Sequence, residues 1–235
     1  MLHNFASISR LLRLTAVCIL CNQYHHEQLA ICNPCLKLFI PLKYACSICR
    51  VALPSNFITQ CSYCRKQKPT YDQILTAYAF EEPLRTLIHQ FKYYKALYLS
   101  TLLTKFMLDA LPNQTYRPDC FIPIPLHSKR LYNRGFNQSV VLAKLLSKYL
   151  NVPIDLTLVH KIINTPPQAT LSRKQRQQNL NASFIAKSNR YQHVTIIDDL
   201  ITTGNTANEV AKLLKKQHVQ RVDVWCIARA SIDSI

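Results

Sequence analysis

The sequence predicts an α/β fold, a mainly parallel sheet flanked by helices, with a small cysteine-rich module at its N-terminus. Three observations predict it. From Ile74 onward, strand-like apolar runs alternate with amphipathic helix-like runs, the pattern of parallel strands joined by helical crossovers. Eight of the ten cysteines crowd between residues 18 and 64. Residues 194–210 run from an apolar, β-branched strand through two carboxylates and a glycine turn into a helix, and ligands of open α/β sheets bind at that carboxyl edge.

At 235 residues, 49% of them apolar, the chain suits one medium domain plus a smaller module. A linker with Pro69 and Thr70 divides it into residues 1–68 and 69–235. Lys and Arg outnumber Asp and Glu by 29 to 12, a field that favours polyanions without choosing among nucleotides, nucleic acid and anionic lipid. The excess is uneven. No carboxylate occurs from Leu156 to Ile197, while Lys161, Arg173, Lys174, Arg176, Lys187 and Arg190 fall there. No apolar run approaches the roughly 20 residues of a transmembrane helix. The stretch from Arg10 through Leu20 has a short apolar core, contains Cys18 and lacks a small-residue cleavage site, so it is not read as a signal peptide and a cytoplasmic location is expected.

The cysteines form four Cys-x-x-Cys pairs, Cys18/Cys21, Cys32/Cys35, Cys46/Cys49 and Cys61/Cys64, separated by ten, ten and eleven residues. Each pair lets two thiolates chelate one ion from a tight knuckle, and two knuckles close a tetrahedral four-cysteine site, the zinc-ribbon arrangement. Four knuckles imply two structural Zn2+ ions. Joining 18/21 with 32/35 and 46/49 with 61/64 is the simplest pairing, and an interleaved one stays open. A disulfide framework requires an oxidising compartment, and redox Cys-x-x-Cys motifs come singly. His25 and His26 are read as surface residues, Cys120 and Cys226 as inert core thiols.

In the larger domain, Ile74–Phe80 reads as extended. Leu84, Leu87, Ile88 and Phe91 give helical spacing over Pro83–Tyr93, and Ala96–Leu111 is a second amphipathic helix. Cys120–Ile124 is extended, Gln138–Leu150 helical, Leu156–Ile162 extended, Ser172–Leu180 a polar helix and Ser183–Ala186 extended. Val194–Ile197 is a buried strand, a helix begins near Ala207, and Arg221–Arg229 is extended.

Glycine usage singles out two turns. Gly135 and Gly204 are the only glycines, where average usage would give roughly 16. Such survivors mark positions where φ is positive or a ligand approaches the backbone. Gly204 lies in Thr202–Thr206, just after Asp198 and Asp199. Gly135 follows Lys129, Arg130 and Arg134 and precedes Asn137, Gln138 and Ser139, which suit a helix N-terminus. A glycine beside Arg134 suits a second phosphate group. The first turn lacks the lysine of a Walker A loop and the spacing of a dinucleotide fingerprint. It offers backbone N–H groups and threonine hydroxyls to a phosphate, and its two carboxylates suit sugar hydroxyls or a divalent cation. Adjacent strand residues point to opposite faces, so both carboxylates serve one ligand only if the chain turns at Asp198.

Val194–Thr206 resembles the 5-phosphoribosyl 1-pyrophosphate (PRPP) signature of the type I phosphoribosyltransferases. The four knuckles, Leu87–Lys92, Pro123–Leu126, Arg134–Gln138 and Thr165–Gln168, with Leu171, Arg176, Asn179 and Phe184, extend the likeness to the ComF family of competence-related proteins. The resemblance implies that Asp198 and Asp199 hold the ribose hydroxyls. It implies that Thr202, Thr203, Gly204, Asn205 and Thr206 hold the 5′-phosphate, with Leu200 and Ile201 in the same PRPP-binding segment and Mg2+ accompanying PRPP. Arg134 and Gly135, with Lys92, are candidates for the pyrophosphate side. Lys161 departs from the family's arginine and loses its bidentate fork. Thr165–Asn179 corresponds to a mobile hood. Two functions follow. One is a phosphoribosyltransferase in which Arg134, Lys129, Arg130 and Arg176 neutralise leaving pyrophosphate, with Asp198, Asp199 and Arg134 as the catalytic set. The other is a non-enzymatic competence accessory that senses such a ligand and binds single-stranded DNA, using Tyr93, Tyr94, Tyr132 and Phe136 among cations, with other competence proteins as partners.

Overall fold

The computed structural model describes residues 15–111, 116–163 and 183–230. In the cysteine-rich region, strands β1 (Ala16–Val17) and β2 (Tyr24–His25) form a hairpin, followed by short helices α1 (Asn33–Leu36) and α2 (Ser62–Lys66). Then come β3 (Gln73–Leu75), β4 (Tyr78–Ala79), α3 (Leu84–Tyr93), a 3-10 turn, α4 (Ser100–Leu108) and β5 (Cys120–Pro123). Helices α5 (Ser128–Arg134) and α6 (Gln138–Leu150) lead to β6 (Val159–Lys161) and β7 (Phe184–Ala186). The chain continues through β8 (His193–Ile197), β9 (Leu200–Ile201), α7 (Asn205–Lys216), β10 (Arg221–Trp225) and β11 (Ala228–Arg229).

The central sheet has the order β3-β10-β8-β5, with every pairing parallel. A second parallel set, β4-β11-β9, repeats the first three positions one step further along. Strands β3, β8 and β10 therefore each break for two residues at a common level and resume as β4, β9 and β11. The expected single strands over 74–80 and 221–229 are each split by this break. Hydrogen bonds cross it, from Asp198 N–H to the Trp225 carbonyl at 3.0 Å and from Ile227 N–H to the Asp199 carbonyl at 3.2 Å.

Side-chain alternation gives the sheet two apolar faces. Phe121, Ile197, Trp225 and Leu75 pack with α3, α4 and α6, and the Trp225 indole donates to the Met107 carbonyl at 2.9 Å. Cys120, Ile122, Val194, Ile196, Val222 and Val224 pack on the other side against Ala207, Val210, Ala211 and Leu214 of α7. That i, i+3, i+4, i+7 spacing is what lets α7 bury one stripe. The cysteine-rich region covers the β3–β4 edge: Ile74 N–H donates to the Ile48 carbonyl at 2.7 Å and Leu42 N–H to the Ala77 carbonyl at 2.8 Å. An otherwise open strand edge is thereby closed.

Three local expectations change. The basic stretch after Leu126 is a helix, α5, whose start is capped by His127 Nδ1 accepting Lys129 N–H at 3.2 Å. Only residues 159–161 of the expected 156–162 strand are extended, because Asp155 Oδ1 accepts N–H bonds from Thr157 and Leu158 at 2.8 and 2.9 Å and turns the chain. His25 is buried, its Nδ1 accepting from Glu27 N–H at 3.1 Å. The expected helix over 172–180 lies outside the described residues.

At the end of the sheet away from the break, Asp223 is fully buried and accepts from Tyr116 Oη at 2.8 Å, His193 Nε2 at 3.0 Å and Arg221 Nε at 3.1 Å. Burial alone would raise its pKa, but bonds from His193, Arg221 and Tyr116 outweigh burial and hold it below the ordinary carboxylate value. A depressed carboxylate stabilises the fold above about pH 4 and loses that contribution as pH falls through its native pKa. Asp223→Ala should lower the unfolding free energy at pH 7 by about 3 kcal/mol, since it takes the acceptor from the buried Tyr116 hydroxyl and breaks the pairs with half-buried His193 and with Arg221. Urea titrations should show the deficit narrowing toward pH 3, and an unchanged midpoint at pH 7 would contradict this account.

Candidate functional site

The break after Ile197 places Asp198 and Asp199 outside any strand. This is the turn that the two carboxylates require. Asp198 Oδ1 accepts from its neighbour's backbone N–H at 2.9 Å and from Ser139 Oγ, at the start of α6, at 3.3 Å. Asp199, 6% exposed, pairs with Lys92 Nζ from the last turn of α3 at 2.9 Å. The structure thus brings Lys92, Ser139, Asp198 and Asp199 together from separate segments of the chain.

Among the described residues one cation, Lys92, is paired with the two carboxylates, and the imbalance appears in Asp198. Burial, then the neighbouring Asp199 charge, push its pKa up to about 7, against the opposing effect of Lys92. Lys161 is affected in the other direction. Burial and the nearby Arg130 push its ammonium down to about 8, while the Asp198 charge works the other way. Its Nζ lies 5.2 Å from the Phe184 ring centre. Lys161 therefore belongs to this cleft although it lacks an arginine's fork.

After Ile201 the chain passes through Thr202, Thr203 and Gly204 into α7, so the helix begins at Asn205 rather than near Ala207. Gly204 has φ +80°, and a Cβ there would lie 3.2 Å from Tyr71 Oη. Both the conformation and the close neighbour favour glycine. The first-turn N–H groups of a helix have no intrahelical acceptors and carry its positive dipole end. Gly135 has a different local cause. It closes α5 at φ +81°, its N–H donating to the Leu131 carbonyl at 2.8 Å, which is a helix C-terminal cap. Arg134 donates to Gln138 Oε1 at 2.8 Å and lies 5.3 Å from the Tyr93 ring centre. Gln138 in turn donates to the Lys92 carbonyl at 3.3 Å. Arg134 reaches the acidic pair's surroundings only through these neighbours. Tyr93, Tyr94 and Tyr132 are exposed, whereas Phe136 packs edge-on against Phe91. Arg176 and the Thr165–Asn179 stretch lie outside the described residues.

The cysteines fall into two groups, Cys18/Cys21/Cys32/Cys35 and Cys46/Cys49/Cys61/Cys64, each with its sulfurs within 4.8 Å of one another. The pairing is sequential, not interleaved. The sulfurs of Cys21 and Cys32 are 3.7 Å apart, as are those of Cys49 and Cys61. A tetrahedron with metal–sulfur bonds of about 2.3 Å has edges of about 3.8 Å, so both groups fit a closed tetrathiolate site. In the first group, burial alone would raise the Cys18 thiol, but N–H bonds from Cys32, Cys21 and Leu20 together overcome it and bring Cys18 down to about 6, whereas burial and the neighbouring sulfurs push Cys35 up to about 12. Burial pushes Cys120 and Cys226 up to about 12, as inert core thiols require.

The chain matches the phosphoribosyl transferase domain model over residues 137–233, the segment that carries α6, the acidic pair and the glycine turn. It is 34% identical over 223 residues to competence protein F of Haemophilus influenzae, covering 91% of this chain and 96% of that protein. The chain belongs to the ComF family. Other members include DNA utilization protein YhgH of Escherichia coli K12, 30% identical over 85% of this chain and 90% of that one. Competence protein ComFC of Streptococcus pneumoniae is 26% identical over 65% of this chain and 66% of that one. Ser139 is legible only as a helix-start residue and not as a partner of Asp198, while Tyr71 and Arg229, also in contact with that region, have no local signal because their partners lie far along the sequence.

A raised carboxylate lowers the stability of the native fold as it ionises. The unfolded chain ionises Asp198 near 4, the native chain near 7, so native stability falls as pH rises across that window. Asp198→Asn should therefore raise the thermal midpoint of the ligand-free protein at pH 8, and the gain should vanish near pH 4. A scanning-calorimetry series in which the variant is less stable at pH 8 would contradict the assignment.

Proposed function

We propose that this ComF protein binds PRPP, or a closely related phosphorylated ribose, together with Mg2+, in a role tied to DNA uptake. The observation that carries the reading is the acidic pair held at a strand break, short of positive charge and immediately ahead of the glycine turn and the α7 N-terminus. Asp198 and Asp199 accept the ribose hydroxyls, with Ser139 and Lys92 fixing their orientation. The Thr202–Thr206 backbone and hydroxyls receive the 5′-phosphate, where helix-end N–H groups favour an anion. Mg2+ supplies neutralisation of the pyrophosphate when bound, and the under-neutralised carboxylates suit a cation brought in with the ligand. Lys92 pairs with Asp199, Lys161 stands between the influences of Arg130 and Asp198, and Arg134 stands behind Gln138. Displacement of pyrophosphate demands positioning and charge neutralisation rather than a covalent nucleophile, and these residues supply both.

Zn2+ fills both four-cysteine groups as a structural ion, a reading supported by the match of their sulfur spacing to a tetrathiolate. The names of the relatives, competence protein F and DNA utilization protein, support a place in handling incoming DNA. Exposed Tyr93, Tyr94 and Tyr132 beside Arg134, Arg130 and Lys129 favour single-stranded DNA as a further ligand, since aromatic faces among cations accept bases without sequence preference. Among the described residues no helix is long and apolar enough to cross a membrane.

Isothermal titration of PRPP with Mg2+ into the wild type and the Asp198→Asn/Asp199→Asn protein tests the ligand. Loss of charge-assisted bonds worth about 1.5–3 kcal/mol each should weaken binding by a hundredfold or more. Absence of binding by the wild type, or equal binding by both proteins, would sink the assignment. Labelled single-stranded DNA titrated in parallel should bind both proteins alike and lose affinity steeply with salt. Salt-independent binding, or none, would remove the DNA ligand.

A further inference from the structure

The second four-cysteine group is wired to the glycine turn by a residue that belongs to neither. Arg229, on β11 and 6% exposed, donates from Nε to the Cys49 carbonyl at 2.9 Å and from Nη1 to the Ile201 carbonyl at 3.1 Å. Cys49 is a member of the second knuckle set, and Ile201 is the last residue before the Thr202–Thr206 turn. One buried guanidinium therefore spans from a metal ligand's backbone to the base of the turn.

Two further contacts run in parallel. Tyr71, 3% exposed, lies with its hydroxyl 3.2 Å from where a Cβ on Gly204 would stand. Thr70 N–H donates to Asn208 Oδ1, in the first turns of α7, at 2.7 Å. The second group's residues share one apolar cluster with Tyr71, Ile201 and Ala207, whereas the first group packs into the cluster on the opposite sheet face. The two metal sites thus stand differently toward the turn.

We propose that Arg229 is a positioning residue that couples metal loading of the Cys46/Cys49/Cys61/Cys64 site to the order of the Thr202–Thr206 turn. The Cys18/Cys21/Cys32/Cys35 site has no such role. With zinc bound, the Cys49 backbone is fixed by its thiolate–metal bond, and its carbonyl anchors the guanidinium. The bound tetrathiolate, formally a dianion, also supplies counter-charge beside a buried cation. Without the ion the knuckle loses its constraint, since small metal modules fold with their metal. Arg229 then loses its fixed partner, and Ile201 loses its tie at the root of the turn. Resting on the phosphoribosyl and zinc readings above, the coupling implies that PRPP affinity follows the metal content of the second site alone.

Hydrogen–deuterium exchange on the full, zinc-loaded chain tests it. Arg229→Lys keeps the charge but cannot fork to two carbonyls. This variant should retain both ions, exchange the Asn208 amide, which donates to the Gly204 carbonyl of the turn at 2.9 Å, about tenfold faster, and leave the β8 and β10 amides unchanged. Retained zinc with unchanged turn exchange would overturn the proposal. Should Arg229→Lys fail to fold, Cys64→Ser and Cys21→Ser decide, each losing one ion by metal analysis. Only Cys64→Ser should loosen the turn, and an equal response to both, or none to Cys64→Ser, overturns the coupling. The Arg229→Lys/Cys64→Ser double variant should be no looser than Cys64→Ser alone; additive effects would mean two independent structural roles. Failure of the wild type to bind PRPP would strike the ligand reading, and the exchange comparison would still judge the coupling.

Discussion

Three neighbouring strands stop and restart at one level, and the rest of the molecule depends on that interruption. After Leu75, Ile197 and Trp225 the parallel ladder lapses for two residues and resumes in the same strand order. A continuous strand would send Asp198 and Asp199 to opposite faces. The gap instead lets Asp198 meet Ser139 and Asp199 meet Lys92, so separate chain segments converge on one acidic pair. Because the three breaks are in register, their backbone groups pair across the gap, and the interruption leaves the sheet intact.

Holding the site open costs stability. Burial, and then the adjacent Asp199 charge with one ammonium opposing it, raise Asp198 into the neutral range, a strain that a well-packed neutral pair would avoid. Charge and geometry are kept for a ligand at the expense of the empty fold, a trade common at functional sites. The opposite end of the sheet shows the contrast. There Asp223 is surrounded by donors from Gln73, Tyr116, His193 and Arg221 and stabilises the fold outright. The same sheet carries one carboxylate committed to structure and a pair held in readiness.

Much of this was legible in residue order. Leu84, Leu87, Ile88 and Phe91 announced α3, Gln138–Leu150 matched α6 to the residue, and Cys-x-x-Cys spacing announced both metal groups. What the order of residues concealed has physical causes. The shared strand break follows from long-range pairing of three strands, with no residue at 76–77 or 226–227 marking it locally. Helix α5 was hidden because its basic sequence has no apolar stripe, and its start is capped by His127 rather than a usual cap residue. Gly135 looked like a ligand contact, yet a helix end accounts for its positive φ. Arg229 carries no signal at all, since Cys49 is 180 residues away in sequence.

The cysteine-rich region is consequently more than an appendage. It closes the sheet edge at Ile48 and Leu42, contributes to the apolar cluster on each face, and reaches the glycine turn through Arg229. The central claim is that the strand break, the acidic pair and the turn form one ligand site. A crystal structure of the zinc-loaded chain with PRPP and Mg2+ tests it most directly. The account predicts the 5′-phosphate on the Thr202–Thr206 backbone and the ribose hydroxyls on Asp198 and Asp199. A ligand bound elsewhere, with the turn empty and the 2.9 Å contact between Lys92 and Asp199 undisturbed, would contradict it.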